Sequence, residues 1–185
     1  GYLHWGLIAW RGEPFESAHR DSLPPGDAWI VYPGPEGPMD SIRWEALRDG
    51  IEDYEYLWLL TATAQEVKAE LGEAAADFDP RQLADELCYR ATPTILDYVR
   101  EPDKLRDTRR RIAREIIALT SAPRLLVWSD PPALHSLAAG PAIAVLYVAS
   151  EPGANVMVNG SKVQLDETGF HAQNLFLAAG EIEIT

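Results

Sequence analysis

Four aromatic side chains, Trp5, Trp10, Trp29 and Tyr32, stand in two short apolar runs near the start of the chain. Indole and phenol rings present flat apolar faces that stack on the C–H faces of a pyranose, while their N–H and O–H groups reach sugar hydroxyls. The same rings can also be plain core. Trp29, in the middle of a strand-like run, suits that use best. Trp5 and Trp10, at or near the end of a buried strand, and Tyr32, just before a Pro-Gly turn, are the candidates for holding a sugar. Arg43 follows in the first turn of the next helix. Its planar guanidinium can bind a hydroxyl or fix a carboxylate through paired hydrogen bonds.

The acids after Arg43 read differently. Glu45, Arg48, Asp49, Glu52, Asp53 and Glu55 fall at helical spacings that make exposed ion pairs, each worth a few tenths of a kcal/mol, or about 0.3. Four histidines, His4, His19, His135 and His171, are scattered with no H-x-x-x-H spacing. No metal site is therefore expected. There is neither a G-x-S-x-G elbow nor a glycine-rich phosphate loop, and no cofactor is expected.

These side chains must be positioned by the elements around them. Residues 2–10 (YLHWGLIAW) and 28–32 (AWIVY) read as strands buried on both faces. The intervening residues 11–26 carry Gly12, Pro14, Pro24, Pro25 and Gly26 and read as a loop. Pro33 to Pro38 form a turn, and a helix starts near Asp40 or Ser41. In it Leu47, Ile51, Tyr54 and Trp58 follow the rhythm of one helix face, and Gly72 is a natural stop after Leu71. Strand, loop and helix in that order are the working unit of a (β/α) barrel, whose chemistry sits on the βα loops.

Further on, Asp79-Pro80 predicts a helix start and a run to about Arg90. Thr94 to Val99 add a short turn. Asp103 is placed to cap a helix over 104–120, with Leu105, Ile112, Ile116 and Leu119 as its buried stripe. Residues 123–142, with SDPP and AAGP, read as a linker. Short strands with tight turns follow (AIAVLYVAS, ANVMVNG, SKVQLD, GFHAQNLFLAAG, EIEIT), with Asn159-Gly160 as a type I′ hairpin turn.

The net charge of −13 argues against a nucleic-acid partner. The one basic cluster, Arg109, Arg110, Arg111 and Arg114, lies in an amphipathic helix and reads as a solvated face. No run reaches the roughly 18 apolar residues of a membrane span. Cys88 is the single cysteine, so no internal disulfide can form. The chain opens and closes in strand-like runs, which predicts a piece of a larger protein.

With those residues in view, residues 2 to about 118 resemble the C-terminal part of the catalytic region of glycoside hydrolase family 123. The motifs that carry it are LHWGLIAW (3–10), GDAWIVYPGPEGPMDSIRWEALRDGIEDYEYLWLL (26–60) and, more weakly, RRRIAREII (109–117). The resemblance implies the last strands and helices of a (β/α)8 barrel. It also implies hydrolysis of β-N-acetylgalactosaminides with retention, in which the substrate's own acetamido oxygen attacks the anomeric carbon. An adjacent Asp-Glu pair on an earlier barrel strand then orients the acetamido group and transfers the proton. That scheme departs from the usual two-carboxylate mechanism. The Asp-Glu dipeptides of this chain, Asp85-Glu86 and Asp166-Glu167, do not match the motif's setting, and His4 stands where an aromatic is expected. The resemblance thus leaves this chain the sugar-facing Trp5, Trp10, Tyr32 and Arg43, with no catalytic residue.

Residues 143–185 look like a bacterial immunoglobulin-like accessory module, an incomplete β-sandwich. The expected organisation is a glycosidase-like region with a helical extension over 1–122, the linker 123–142, and the β module. The expected partners are a glycan and the rest of the parent polypeptide, with self-association as the alternative way to cover open barrel edges. The expected setting is secreted, periplasmic or cell-surface. The alternative function is a non-catalytic relative that binds or tethers polysaccharide.

Overall fold

The computed structural model describes residues 13–16, 29–94, 96–130, 132 and 142–177. Two compact units divide the chain, Gly1–Tyr54 and Glu55–Thr185. The expected strand at 2–10, with Trp5 and Trp10, lies outside the described residues, as does the terminal run 181–185. The fold is mixed α/β, and every sheet among the described residues is antiparallel.

In the first unit, β1 (Val31–Gly34) turns back on β2 (Gly37–Asp40) as a hairpin. Sequence reasoning placed a plain turn here, running directly into the helix. The hairpin is hidden by its prolines, because Pro33 pairs with Pro38 and neither has an N–H to give the ladder. Glycine makes it feasible. A Cβ on Gly34 would sit 2.6 Å from the Gly37 carbonyl oxygen, and Gly37 adopts φ +141°, which L side chains rarely adopt.

Helix α1 (Ile42–Leu71) follows and ends at Gly72, whose φ of +56° breaks it as predicted. The helix shows the predicted periodicity, but the aromatic stripe is not its buried side. Ile51, Tyr54 and Trp58 are 51%, 64% and 61% exposed, whereas Leu60, Thr63, Ala64 and Val67 are buried. At about 100° per residue these two sets lie on opposite sides of the helix.

The second unit has three layers. Helices form the first: the C-terminal half of α1, then α2 (Gln82–Ala91) and α3 (Pro102–Thr120). Asp79 Oδ1 accepts the Arg81 N–H, so α2 opens two residues later than Asp79-Pro80 suggested. Glu101, not Asp103, is the N-terminal flanking residue of α3. Asp103 instead pairs with Arg106 at 2.7 Å one turn on. Of the expected stripe, Ile112 and Leu119 are buried, Ile116 packs partly buried against the core, and Leu105 is exposed.

The second layer is a sheet of β3 (Leu125–Asp130), β4 (Ala142–Ser150) and β7 (Phe170–Leu177), in that order. Strand β3 lies inside the stretch read as a linker. The two compact units divide between Tyr54 and Glu55. Linker-like punctuation after Asp130 masked a six-residue strand ahead of it. The third layer is the hairpin of β5 (Val156–Val158) and β6 (Ser161–Val163). Asn159 and Gly160 turn it with φ of +49° and +73°, as the dipeptide predicted.

Alternation along the strands splits the core in two. Leu126, Trp128 and Ala149 join the helices, with Tyr147 and Phe170 packed against them. Leu146 and Val148 join Val156, Val158 and Val163 on the other face. The turn from β6 to β7 is closed by Asp166, whose Oδ1 accepts the N–H of Thr168 and of Phe170 and the Thr168 hydroxyl. The Thr168 hydroxyl bond, then the Phe170 amide, hold this carboxyl below its ordinary range.

Two outcomes test this architecture. Leu126→Ala removes a side chain with 0% exposure and should lower stability by about 2–5 kcal/mol in urea titrations, whereas Ile143→Ala on the surface should cost less than about 0.5 kcal/mol. Asp166 has a lowered folded pKa, so its contribution is complete above the unfolded carboxylate value of about 3.9 and fades as pH falls through the folded value. Asp166→Asn should therefore be less stable than the parent at neutral pH, with the gap closing in acid melts.

Candidate functional site

The candidate residues of the first unit meet around the hairpin. Tyr32, in β1, pairs with Met39 of β2. Its half-buried ring sits 5.4 Å from Phe15 and 6.3 Å from Trp29, the latter edge-on at 78°. Trp29 is 1% exposed and is core, as its place within a strand-like run suggested. Its Nε1–H is buried with no hydrogen-bond partner, a desolvated donor of the kind that costs about 1–3 kcal/mol. Phe15, at 64% exposure, extends the aromatic surface beyond Tyr32. Sequence reasoning missed it, because it stands in a loop segment with no periodic pattern to single it out.

Ser41 joins strand to helix. Its Oγ accepts the N–H of Arg43 at 3.1 Å and of Trp44 at 3.2 Å, capping α1. The same hydroxyl donates to the Ile30 carbonyl at 2.5 Å. One side chain thus fastens the first helical turn to the residue before β1, and so fixes where Arg43 starts. The Arg43 side chain is exposed. Tyr32 thus stands within the hairpin and Arg43 in the first turn of the helix that follows it. Trp5 and Trp10 lie outside the described residues.

The acids of α1 behave as surface charge. Arg48 pairs with Glu45 at 2.6 Å and with Glu52 at 3.7 Å, both largely exposed, and such pairs contribute little to stability. Among the described residues no group of acids, histidines or cysteine is arranged to hold a metal ion. No described helix is long and apolar enough to cross a membrane. Asp85 and Glu86 lie within α2, and Asp166 and Glu167 in the turn before β7. Neither pair is in the first unit.

The first unit thus offers an exposed phenyl ring tilted at 36° to a half-buried phenol, a capped helix start and an exposed guanidinium. Residues 1–60 match the family model described as glycoside hydrolase 123, catalytic domain. That region, 60 of the chain's 185 residues, is glycoside hydrolase 123-like and contains all four candidates. No curated protein and no solved structure matches the chain.

Ser41→Ala should speed amide hydrogen exchange at Arg43 and Trp44 and weaken the first turn of α1 by about 1–2 kcal/mol. Ser41→Thr, which keeps a hydroxyl, should restore most of the protection.

Proposed function

We propose that this chain forms the sugar-holding end of a glycoside hydrolase acting on N-acetylhexosaminides of the β-N-acetylgalactosaminide type. The match of residues 1–60 to the glycoside hydrolase 123 catalytic domain carries this reading. Tyr32 supplies a ring for stacking and Arg43 a paired donor for hydroxyls, and Trp5 and Trp10 complete the sugar surface. In the proposed reaction the substrate's acetamido oxygen attacks the anomeric carbon as the glycosidic bond breaks. A general acid protonates the leaving oxygen, and water then opens the cyclic intermediate with net retention. The Asp-Glu pair for those steps is assigned to another segment of the parent polypeptide. The site works in a secreted, periplasmic or cell-surface protein, and residues 143–185 serve as an immunoglobulin-like accessory module.

One observation favours a second reading. The two Asp-Glu dipeptides of the chain sit in α2 and in the β6–β7 turn, so this chain's own carboxylates support glycan binding without cleavage. A polysaccharide-binding or tethering relative would need only the aromatics and Arg43.

Assay of the longest natural polypeptide containing this chain distinguishes the two. On a chromogenic β-N-acetylgalactosaminide, the hydrolase reading expects turnover with a β-anomer as first product by proton NMR, and inhibition by the matching sugar thiazoline. Trp5→Ala, Trp10→Ala and Tyr32→Ala should each lower kcat/KM by about tenfold or more, the loss of roughly 1.4 kcal/mol of binding at the transition state. Saccharide binding with no turnover would give the reading to the tethering relative. Absence of both would end it.

A further inference from the structure

Strand β3 is an outer strand of its sheet, with β4 as its sheet neighbour. Along an antiparallel pair, the backbone groups of successive residues point alternately at the partner strand and away from it. Two observations fix that alternation in β3. The Arg124 N–H donates to Glu151 Oε1 at 3.3 Å and its carbonyl accepts from the Ser150 hydroxyl at 2.6 Å, so Arg124, just before the strand, faces β4. Ser129 has the opposite parity and faces away: its carbonyl accepts from Gln82 Nε2 of α2 at 2.9 Å. Leu125 and Val127 share the parity of Ser129. Their N–H and C=O groups therefore point out of the sheet, without a hydrogen-bond partner among the described residues. Pro123 has no N–H to give and the Ser129 carbonyl is taken, so the open edge centres on Leu125 and Val127.

This edge lies in an apolar setting. A cleft of about 540 Å³ runs past Leu125 and Val127. Leu83 of α2 and Leu119 of α3 line it from the helix-side core, and Leu146 and Leu175 from the core on the opposite sheet face. Its occupant must therefore offer donors and acceptors at strand spacing, with hydrocarbon on both faces. An extended peptide does both, because its side chains alternate between the two faces while its backbone pairs with the edge. A second copy of β3 has suitable side chains, but antiparallel pairing of two edges relates the copies by a twofold axis perpendicular to the sheet. Two α2–α3 layers would then meet on one face, where a single layer already lines the cleft. The run EIEIT at the end of the chain alternates charge with hydrocarbon and would set its glutamates against one apolar wall.

We propose that the β3 edge takes an extended apolar segment of a separate polypeptide as an added antiparallel strand, bonded to the outward N–H and C=O groups of Leu125 and Val127. This site is separate from the sugar-binding reading and stands or falls without it.

A capped hexapeptide, lysine-valine-leucine-valine-leucine-lysine, N-methylated at its two leucines, tests the proposal. The methyl groups block one edge of the peptide, so it cannot build sheets with itself, and leave the valine edge free to pair. With the full chain at neutral pH, saturating peptide should slow amide exchange at Leu125 and Val127 by about tenfold or more, with little change at Leu126 and Trp128, which face β4. The same peptide N-methylated at all four apolar residues should bind about tenfold more weakly or worse, because its pairing amides are gone. Equal binding of the two peptides, no binding of the first up to about 1 mM, or equal slowing at Leu125 and Leu126 overturns the proposal. So does protection of Leu125 and Val127 in the free chain. Protection that rises with protein concentration would give the edge to a second copy, and protection independent of concentration to the chain's own residues.

Discussion

Trp128 is the residue on which the second unit turns. Its ring lies 5.4 Å from Phe78, 5.4 Å from Tyr147 and 6.2 Å from Phe170. Phe78 comes from the segment between α1 and α2, Tyr147 from β4 and Phe170 from β7. One indole therefore joins helix layer to sheet across three separate parts of the chain. Aromatic pairs of this kind add about 0.5–1.5 kcal/mol each beyond the area they bury. The stack also sets the sheet's orientation. With Trp128 and Leu126 facing the helices, alternation puts Leu125, Val127 and Ser129 on the other face. That second face packs against Val156, Val158 and Val163 of the β5–β6 hairpin.

The first unit depends on a much smaller device. A helix that starts with Ser41 gains a cap for two amides, and the same hydroxyl reaches back to Ile30. Between those two points the hairpin is a detour whose ends are pinned. Tyr32 faces Phe15 and Trp29 at the start of the detour, and Arg43 emerges in the first turn of the helix after it. The placement of Tyr32 and Arg43 is thus set by one serine and two glycines, Gly34 and Gly37. A hairpin built this way tolerates change at Glu36, which is exposed in the turn, far better than at Ser41 or Gly34.

Sequence reading succeeded where local chemistry decides structure. Gly72 ends α1, Asn159-Gly160 turns a hairpin, and the strands after Ala142 follow their alternation, because each depends on residues within a few positions. It faltered where a neighbour distant in sequence decides. Prolines at 33 and 38 argued against strand, yet a two-strand ribbon with no ladder donors at that pair accommodates both. The periodic stripe of α1 was legible as a face, but periodicity reports that a face is apolar, not which side a core will cover. Leu60, Thr63, Ala64 and Val67 are buried because the segment through Phe78 and the strands come back against them. Strand β3 was read as linker for the same reason: six residues become a strand only when β4 arrives beside them. Tyr32 and Arg43 were singled out by their types and places, whereas Phe15, a loop residue, stands out only from the ring it meets. The cleft beside β3 was invisible, because α2, α3 and the sheet line it with residues far apart in the sequence.

The two units present different physics. The first sets Phe15, Tyr32 and Trp29 side by side, with Arg43 exposed at the start of α1. In the second, burial acts on a carboxyl. For an acid whose folded pKa is raised, the unfolded state releases its proton at lower pH, so stability declines as pH climbs from the unfolded value to the folded one. Glu115 is such a group. Holding it ionised at neutral pH therefore works against folding. The opposing cation within the helix, Arg111, lowers the Glu115 pKa without cancelling the effect of burial. Replacing Glu115 by a hydrocarbon of similar volume would remove that burden.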